Sequence, residues 1–373
     1  IQRCITNLSN YLVKNGYDVT IICCDYNINI DRKMYNLDDK VNITFIKESL
    51  VKRLINLYRK PLIHLNDKFG IFKNNLFILE KIYYPYYHKI KHIIESEKYD
   101  IVISSATYFN ALLSFLKIKD IIKIGWQHSS YFFYFEDGGY KNKDAIIKMM
   151  FKNLDKYVVL TNDDKNEIKK KLGYNVVRIY NALECFPKKS GNFNNKKFIA
   201  AGRLCTEKRF DLLIRDFGEF TKSNNDWILN IYGDGPERDN LQKLIDDLNL
   251  ENRVKLCGYC SDMGKKYLES SIYCMTSISE GFAMVVAEAM SCGLPIICYD
   301  IPAMRELVSK NCGFIVGEGN NSEFVDKMLL LSSNEDLYIK FSKQVKERSK
   351  SFDIEKIGSE WIELFDSLVR KEK

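Results

Sequence analysis

Short apolar runs rich in β-branched residues alternate along the chain with longer segments of helical period. Strand candidates in the first half are Val19–Cys24, Val41–Ile46, Ile101–Ser104, Ile121–Gly125, Tyr157–Thr161 and Val176–Tyr180. Leu76–Glu97 and Ala145–Asn153 read as helices between them. The chain opens on a further amphipathic helix, with Ile5, Leu8 and Leu12 on one stripe and Gly16 as its stop. Residues 187–196 break the pattern: they are polar, contain Pro and Gly, and show no period, which predicts a linker. A second series follows, with strands near Phe198–Ala201, Trp227–Tyr232, Val254–Cys257, Ile272–Met275 and Pro295–Cys298. Its helices fall near Arg209–Thr221, Glu237–Leu248 and Met284–Cys292. Strand–helix alternation of this kind predicts parallel sheets covered on both faces, so the chain reads as two Rossmann-like α/β sheets in tandem. The last segment, Asp353–Arg370, carries Ile357, Trp361, Leu364, Phe365 and Leu368 on one helical stripe.

The 373 residues suit two domains, and 46% hydrophobic residues are enough for two cores. No apolar run approaches the ~18 residues of a membrane-spanning helix, and the N-terminus lacks the basic-then-apolar character of a signal peptide. The 11 cysteines are an odd, scattered set, several inside strand-like runs, which points to free thiols in a reducing, cytoplasmic compartment. Cys257 and Cys260 form a single CxxC and His88 with His92 the only close histidine pair, too little for a zinc site. Net charge is +7 and uneven: residues 40–100 hold twelve Lys/Arg against six Asp/Glu, interleaved with tyrosines. A solvated helix face accounts for this, and so does a surface at residues 47–98 that docks on anionic lipid at the inner face of the plasma membrane. No motif supports nucleic acid as a partner.

The densest chemical signal is Ser279-Glu-Gly-Phe-Ala-Met-Val-Val-Ala-Glu-Ala-Met-Ser-Cys-Gly-Leu-Pro295. It leaves a strand, turns at Gly281 and enters a helix near Met284. A Gly turn feeding a helix N-terminus offers free N–H groups and a positive dipole end, and open α/β sheets bind ligands at this edge. Glu280 on the turn can then accept from sugar hydroxyls, and Glu288 can hold a ribose diol. A surface carboxylate is the plainer reading of Glu288, but its small and apolar flanks, Val285 to Ala287 with Ala289 and Met290, favour an embedded group with a partner.

Arg203 follows the first strand of the second series, and Lys208 opens the next helix. Two cations at a strand-to-helix turn can neutralise a diphosphate leaving group. No DxD carboxylate pair occurs to hold a divalent metal, so leaving-group stabilisation falls to cations and helix dipoles, with no cofactor. The turn at Gly233-Asp-Gly-Pro236 is weak evidence for phosphate binding, since turn geometry alone explains its glycines. In the first half, His128 and Asn181 each follow a strand, at the edge where ligands bind; for His128 a structural role and a functional one stand level.

Together these residues resemble the retaining GT-B glycosyltransferases of family 4, also called glycosyl transferases group 1. The matching pieces are the EX7E element from Glu280 to Glu288 with its Gly-Phe turn, the GRL-x-x-EK stretch from Gly202 to Lys208, and GDGP from Gly233 to Pro236. Leu256-Cys-Gly258 and Arg305-Glu-Leu-Val308 match weaker positions. The second half is covered almost wholly. The first is covered more loosely, through Asn15 to Thr20, His128, Thr161 and Ile179 to Asn181. Ala283, where the family often has Gly or Pro, and Met284 depart from the pattern and leave the donor's identity open.

The resemblance implies two Rossmann-like domains facing across a cleft: residues 1–186 on the acceptor side, a linker at 187–196, a nucleotide-sugar domain at 197–350, and a helix at 351–373 crossing back to the first domain. It implies metal-independent transfer of a sugar, from a UDP-sugar by preference, to a glycan or lipid-linked acceptor with retention of configuration. Arg203 and Lys208 would hold the diphosphate and Glu288 the ribose. Glu280 and the Gly281–Ala283 backbone, with Phe282, Met284, Gly233 and Asn181 nearby, would meet the donor, and His128 would lie beside the sugar. Bacterial surface polysaccharide synthesis, of capsule or lipopolysaccharide, fits the composition. In that family a strand and a Gly-rich loop precede the opening helix. Neither is present here, which predicts an unfilled slot between Val19–Cys24 and Ile101–Ser104. Hydrolysis would require two carboxylates flanking the scissile bond, roughly 5–9.5 Å apart; Glu280 and Glu288 read as lying on one side of a ligand. A nucleotide-sugar epimerase on the same plan and a catalytically silent nucleotide-sugar-binding protein are the alternatives.

Overall fold

The computed structural model describes the chain outside residues 25–31, 33–35, 47–59, 67, 76, 79–86, 138–139, 225, 310 and 371–373. The chain forms two compact units: Ile1–Ala182 together with Ile354–Lys373, and Leu183–Asp353.

In the first unit, helix α1 (Gln2–Lys14) buries Cys4, Leu8, Tyr11 and Leu12 along one stripe. Strands β1 (Thr20–Cys23) and β2 (Asn42–Phe45) pair in parallel as a two-stranded sheet. Helix α2 (Tyr87–Glu97) leads into β3 (Ile101–Ser105), α3 (Thr107–Phe115), β4 (Ile122–Trp126), α4 (Asp144–Asn153), β5 (Lys156–Val159) and β6 (Val177–Arg178). These four strands form a separate parallel sheet in the order β3-β4-β5-β6, and among the described residues β1 has no pairing with β3. Ala111, Leu112, Ile146, Met150, Tyr157 and Val159 pack into one core beneath the two helices. The apolar stripe of the C-terminal helix, Ile354–Val369, is buried in this unit. Its Trp361 ring meets Trp126 edge to face at 5.0 Å. A Cβ at Gly358 would sit 2.2 Å from the Tyr11 ring, so only glycine lets this helix close on α1.

The second unit is a six-stranded parallel sheet of β7 (Lys197–Ala201), β8 (Ile228–Tyr232), β9 (Val254–Gly258), β10 (Ile272–Met275), β11 (Ile296–Tyr299) and β12 (Gly313–Val316). Their spatial order is β12-β11-β10-β7-β8-β9. Counted from β7, that is the doubly wound order 6-5-4-1-2-3, whose topological switch point lies between β7 and β10. The helix Phe210–Thr221 presents Leu213, Ile214, Phe217 and Phe220 to Phe198, Trp227 and Ile231.

The stretch expected as a linker is packed into the second unit instead. The Gly191 N–H donates to the Cys292 carbonyl (2.8 Å), Ser271 Oγ donates to the Asn192 carbonyl (2.7 Å), and the Phe193 ring meets Trp227 and Tyr338. Polar composition marks it as irregular backbone, but irregular backbone can still be fully hydrogen-bonded. Much of the expected helix Leu76–Glu97 and of the basic segment 47–98 falls outside the described residues, which here include the helix Tyr87–Glu97.

Candidate active site

The loops that leave β7 and β10 flank the switch point, and the structure ties them together. The Ile278 N–H donates to the Glu207 carbonyl at 3.0 Å. Thr276 Oγ1 lies 3.0 Å from the carbonyl oxygens of both Lys208 and Arg209 and shares its proton between them. Arg209 and Ala283 both adopt left-handed backbone, at φ 49° and 56°, one at each loop's entry into its helix. The loop after β10 then enters the helix Met284–Ser291 with no side chain capping its first turn. Uncapped N–H groups at the carboxyl edge of a parallel sheet are a ready anion site.

Lys208 and Glu280 meet here in an ion pair, with side chains 19% and 13% exposed. Glu288 lies on the helix between the buried Ala287 and Ala289 and accepts from the Tyr267 hydroxyl at 3.4 Å. Tyr273, on strand β10, lies within electrostatic reach of both glutamates. Burial drives its hydroxyl pKa far up, and the charges of Glu280 and Glu288 add to the shift. That hydroxyl is held by strand β7, accepting from the Ala201 N–H (3.3 Å) and donating to the Ala201 carbonyl (3.2 Å). Lys208 and Glu280 thus meet at one sheet edge from loops far apart in sequence, and Glu288 lies on the helix that the second loop enters. Arg203 stands exposed two residues past β7. Gly281 is buried, Met284 half-buried, and Phe282 anchors the turn with its ring edge to face on Phe352 at 5.3 Å.

Gly233 has a backbone task. At φ 135° its hydrogen faces the Gly202 carbonyl, and a Cβ would lie 1.8 Å from that oxygen; at Gly235 a Cβ would lie 2.3 Å from the Leu204 oxygen. The Leu204 N–H donates to the Asp234 carbonyl (3.0 Å), so the GDGP turn is laid backbone to backbone against the loop that carries Arg203 and Lys208.

In the first unit His128 follows β4, its ring 4.4 Å from that of Trp126 and its backbone N–H donating to Tyr134 Oη at 3.3 Å. Burial pulls its pKa down to about 3. Nε2 is closed to solvent and has no hydrogen-bond partner among the described residues. The imidazole is therefore neutral near pH 7, able to hydrogen-bond a hydroxyl but not to carry charge to a diphosphate. Asn181 lies past β6, 4% exposed, with Oδ1 likewise unpartnered among the described residues.

Sequence reasoning missed Tyr267, which donates to Glu288, and Tyr273 and Thr276, which hold the backbone of Ala201 and of Lys208 and Arg209. Tyr273 falls inside a predicted strand, where an aromatic reads as core, and nothing local sets Tyr267 apart from other buried tyrosines.

Two family models cover most of the chain: Glycosyltransferase Family 4 over residues 1–185 and Glycosyl transferases group 1 over residues 184–348. An uncharacterized glycosyltransferase of Haemophilus influenzae is 31% identical over 96% of this chain and 94% of its own. The poly(ribitol-phosphate) alpha-N-acetylglucosaminyltransferase of Staphylococcus aureus is 28% identical over 90% of this chain and 69% of its own. The crystal structure of an S. aureus TarM mutant in complex with fondaparinux, alpha-GlcNAc-glycerol and UDP superposes with TM-score 0.76 at 18% identity, covering 98% of this chain and 96% of that one, and so shares the fold. The EX7E element, the paired Lys208 and Glu280, and these matches place the chain in glycosyltransferase family 4, the glycosyl transferases group 1, with its two Rossmann-like domains.

Proposed function

We propose that this glycosyltransferase moves a sugar from a UDP-sugar to a glycan or lipid-linked acceptor with retention of anomeric configuration, in bacterial surface polysaccharide synthesis. The observation that carries this is the meeting of Lys208 and Glu280 beside an uncapped helix N-terminus at the switch point, with Glu288 on that helix. Breaking a glycosyl–phosphate bond builds negative charge on the diphosphate and positive charge on the sugar. Lys208, Arg203 and the helix N-terminus meet the first; Glu280 meets the second; Glu288 binds the ribose. His128, neutral, hydrogen-bonds the sugar through Nε2, and Asn181 lends Oδ1 as an acceptor. No metal takes part, because the cations already supply the charge. The UDP bound in the TarM complex supports that nucleotide, and the poly(ribitol-phosphate) in the staphylococcal relative's name supports a polymeric acceptor.

The work is done at the membrane surface, with residues 47–98 resting on anionic lipid. Among the described residues no helix is long and apolar enough to cross a membrane. A thermal-shift screen of UDP-, GDP- and ADP-sugars tests the donor, since ligand that binds only the folded state raises its stability by mass action. Selective stabilisation by a UDP-sugar, followed by its turnover, is the expected result; stabilisation by GDP- or ADP-sugars alone would reassign the donor.

A further inference from the structure

Glu288 is a flexible side chain on an eight-residue helix, yet a ribose diol requires its carboxylate in one plane. Two buried tyrosines stand near it. Tyr273 cannot orient it by donation, because its single hydroxyl proton is given to the Ala201 carbonyl and its oxygen already receives the Ala201 N–H. Tyr267 can: its hydroxyl lies 3.4 Å from Glu288 Oε2 and its ring is 1% exposed.

The backbone around Tyr267 is fixed as well. Asp262 caps the short helix Met263–Leu268 by accepting from the Lys265 N–H. The Ser270 N–H donates to the Tyr267 carbonyl at 3.0 Å, and Asn195 Nδ2 donates to the carbonyls of Leu268 and Ser270, both at 3.2 Å. The ring packs edge to face on Tyr273 at 6.0 Å. The hydroxyl is therefore presented from a rigid support.

We propose that Tyr267 is a positioning residue for donor binding: its hydroxyl holds the Glu288 carboxylate in the orientation that receives the ribose hydroxyls of the nucleotide. This rests on the reading of Glu288 as the ribose ligand. Tyr267 touches neither the sugar nor the diphosphate, so its loss weakens nucleotide affinity and leaves turnover at saturating donor nearly unchanged.

The test is UDP binding by titration calorimetry to the full chain as wild type, Tyr267→Phe, Glu288→Ala and the double variant, with melting temperatures of the unliganded proteins. Phenylalanine keeps the buried ring and removes only the hydroxyl. Tyr267→Phe is expected to weaken UDP about three- to tenfold, the effect of one hydrogen bond of ordinary strength. In the Glu288→Ala background the same change is expected to have no effect, because coupled residues are non-additive. The ratio of 2′-deoxy-UDP to UDP affinity supplies a readout that does not depend on how much of a variant is folded. It should move toward one in Tyr267→Phe. Wild-type affinity in Tyr267→Phe beside a clear loss in Glu288→Ala would overturn the inference and leave the ribose reading standing. An equal loss in both backgrounds would assign Tyr267 to packing alone. Wild-type affinity in Glu288→Ala would remove the ribose reading, and this inference with it.

Discussion

Lys208 and Glu280, on loops that follow two neighbouring strands of the second sheet, are bound to each other in a largely buried ion pair. A pair this sheltered is screened less than an exposed one, and removing one partner strands the other's charge. The two residues that would serve opposite ends of the breaking bond therefore begin by neutralising one another. On the proposed mechanism, incoming diphosphate would compete with Glu280 for the Lys208 ammonium and free the Glu280 carboxylate to face the sugar.

Lys208→Ala is expected to lower kcat/KM by an amount on the order of 2–4 kcal/mol, which is what one preorganised electrostatic group supplies. Glu280→Gln should lower kcat with a smaller change in KM, because the charge it faces develops only as the sugar becomes cationic. The double variant should lose less than the sum of the two. Strict additivity in steady-state kinetics would mean that the pair does not act as a unit.

Leaving-group charge met by Lys208, Arg203 and a helix N-terminus predicts a turnover rate indifferent to chelation. Wild type dialysed against EDTA should keep its rate, and added Mg²⁺ should not raise it. Arg203→Ala, by contrast, should raise the donor KM and lower kcat. A rate abolished by EDTA and restored by a divalent ion would assign the neutralising role to metal.

The proposed docking of residues 47–98 on lipid predicts sedimentation with liposomes that needs anionic lipid and weakens as salt rises, since screening shortens the reach of surface charges to about 8 Å at physiological ionic strength. Binding equal on neutral and anionic vesicles would leave a merely solvated face.

Much of this site is legible in the sequence. Glu288 stands out as a carboxylate among small apolar residues, and the strand ends indicate which edge of its own sheet each of Arg203, Lys208 and His128 follows. What escapes is whatever depends on contact at a distance. Strand β12 goes unrecognised because it is four residues long and begins at Gly313, where a Cβ would meet the Ile296 carbonyl oxygen at 1.9 Å; that glycine reads as a breaker until the neighbouring strand is known. Helix α3 is apolar on most faces and shows little helical period, so its pattern does not single it out. Tyr267 matters only through Glu288, 21 residues on.

Two buried groups outside the ion pair give stability a pH dependence of opposite sign. Asp216, 1% exposed, leaves Oδ2 without a partner among the described residues. Burial, aided by the charges of Asp211 and Glu219, raises its carboxyl to about 7 from the ordinary 3.8. The unfolded chain releases that proton first, so the folded state is favoured in acid and loses stability as pH rises from about 4 to about 7, by roughly 1.4 kcal/mol per unit at most. His128 runs the other way. Its pKa falls from 6.5 to about 3, so the unfolded chain takes up the proton first and stability drops as pH falls below about 6.5. Between roughly pH 4 and 6.5 the two slopes oppose and largely cancel. Urea unfolding from pH 4 to 8 should therefore show Asp216→Asn stabilising at pH 8 and near neutral at pH 4. His128→Gln should be relatively more stable at pH 4 than at pH 8. Parallel pH profiles for wild type and both variants would show that neither group titrates as its burial demands.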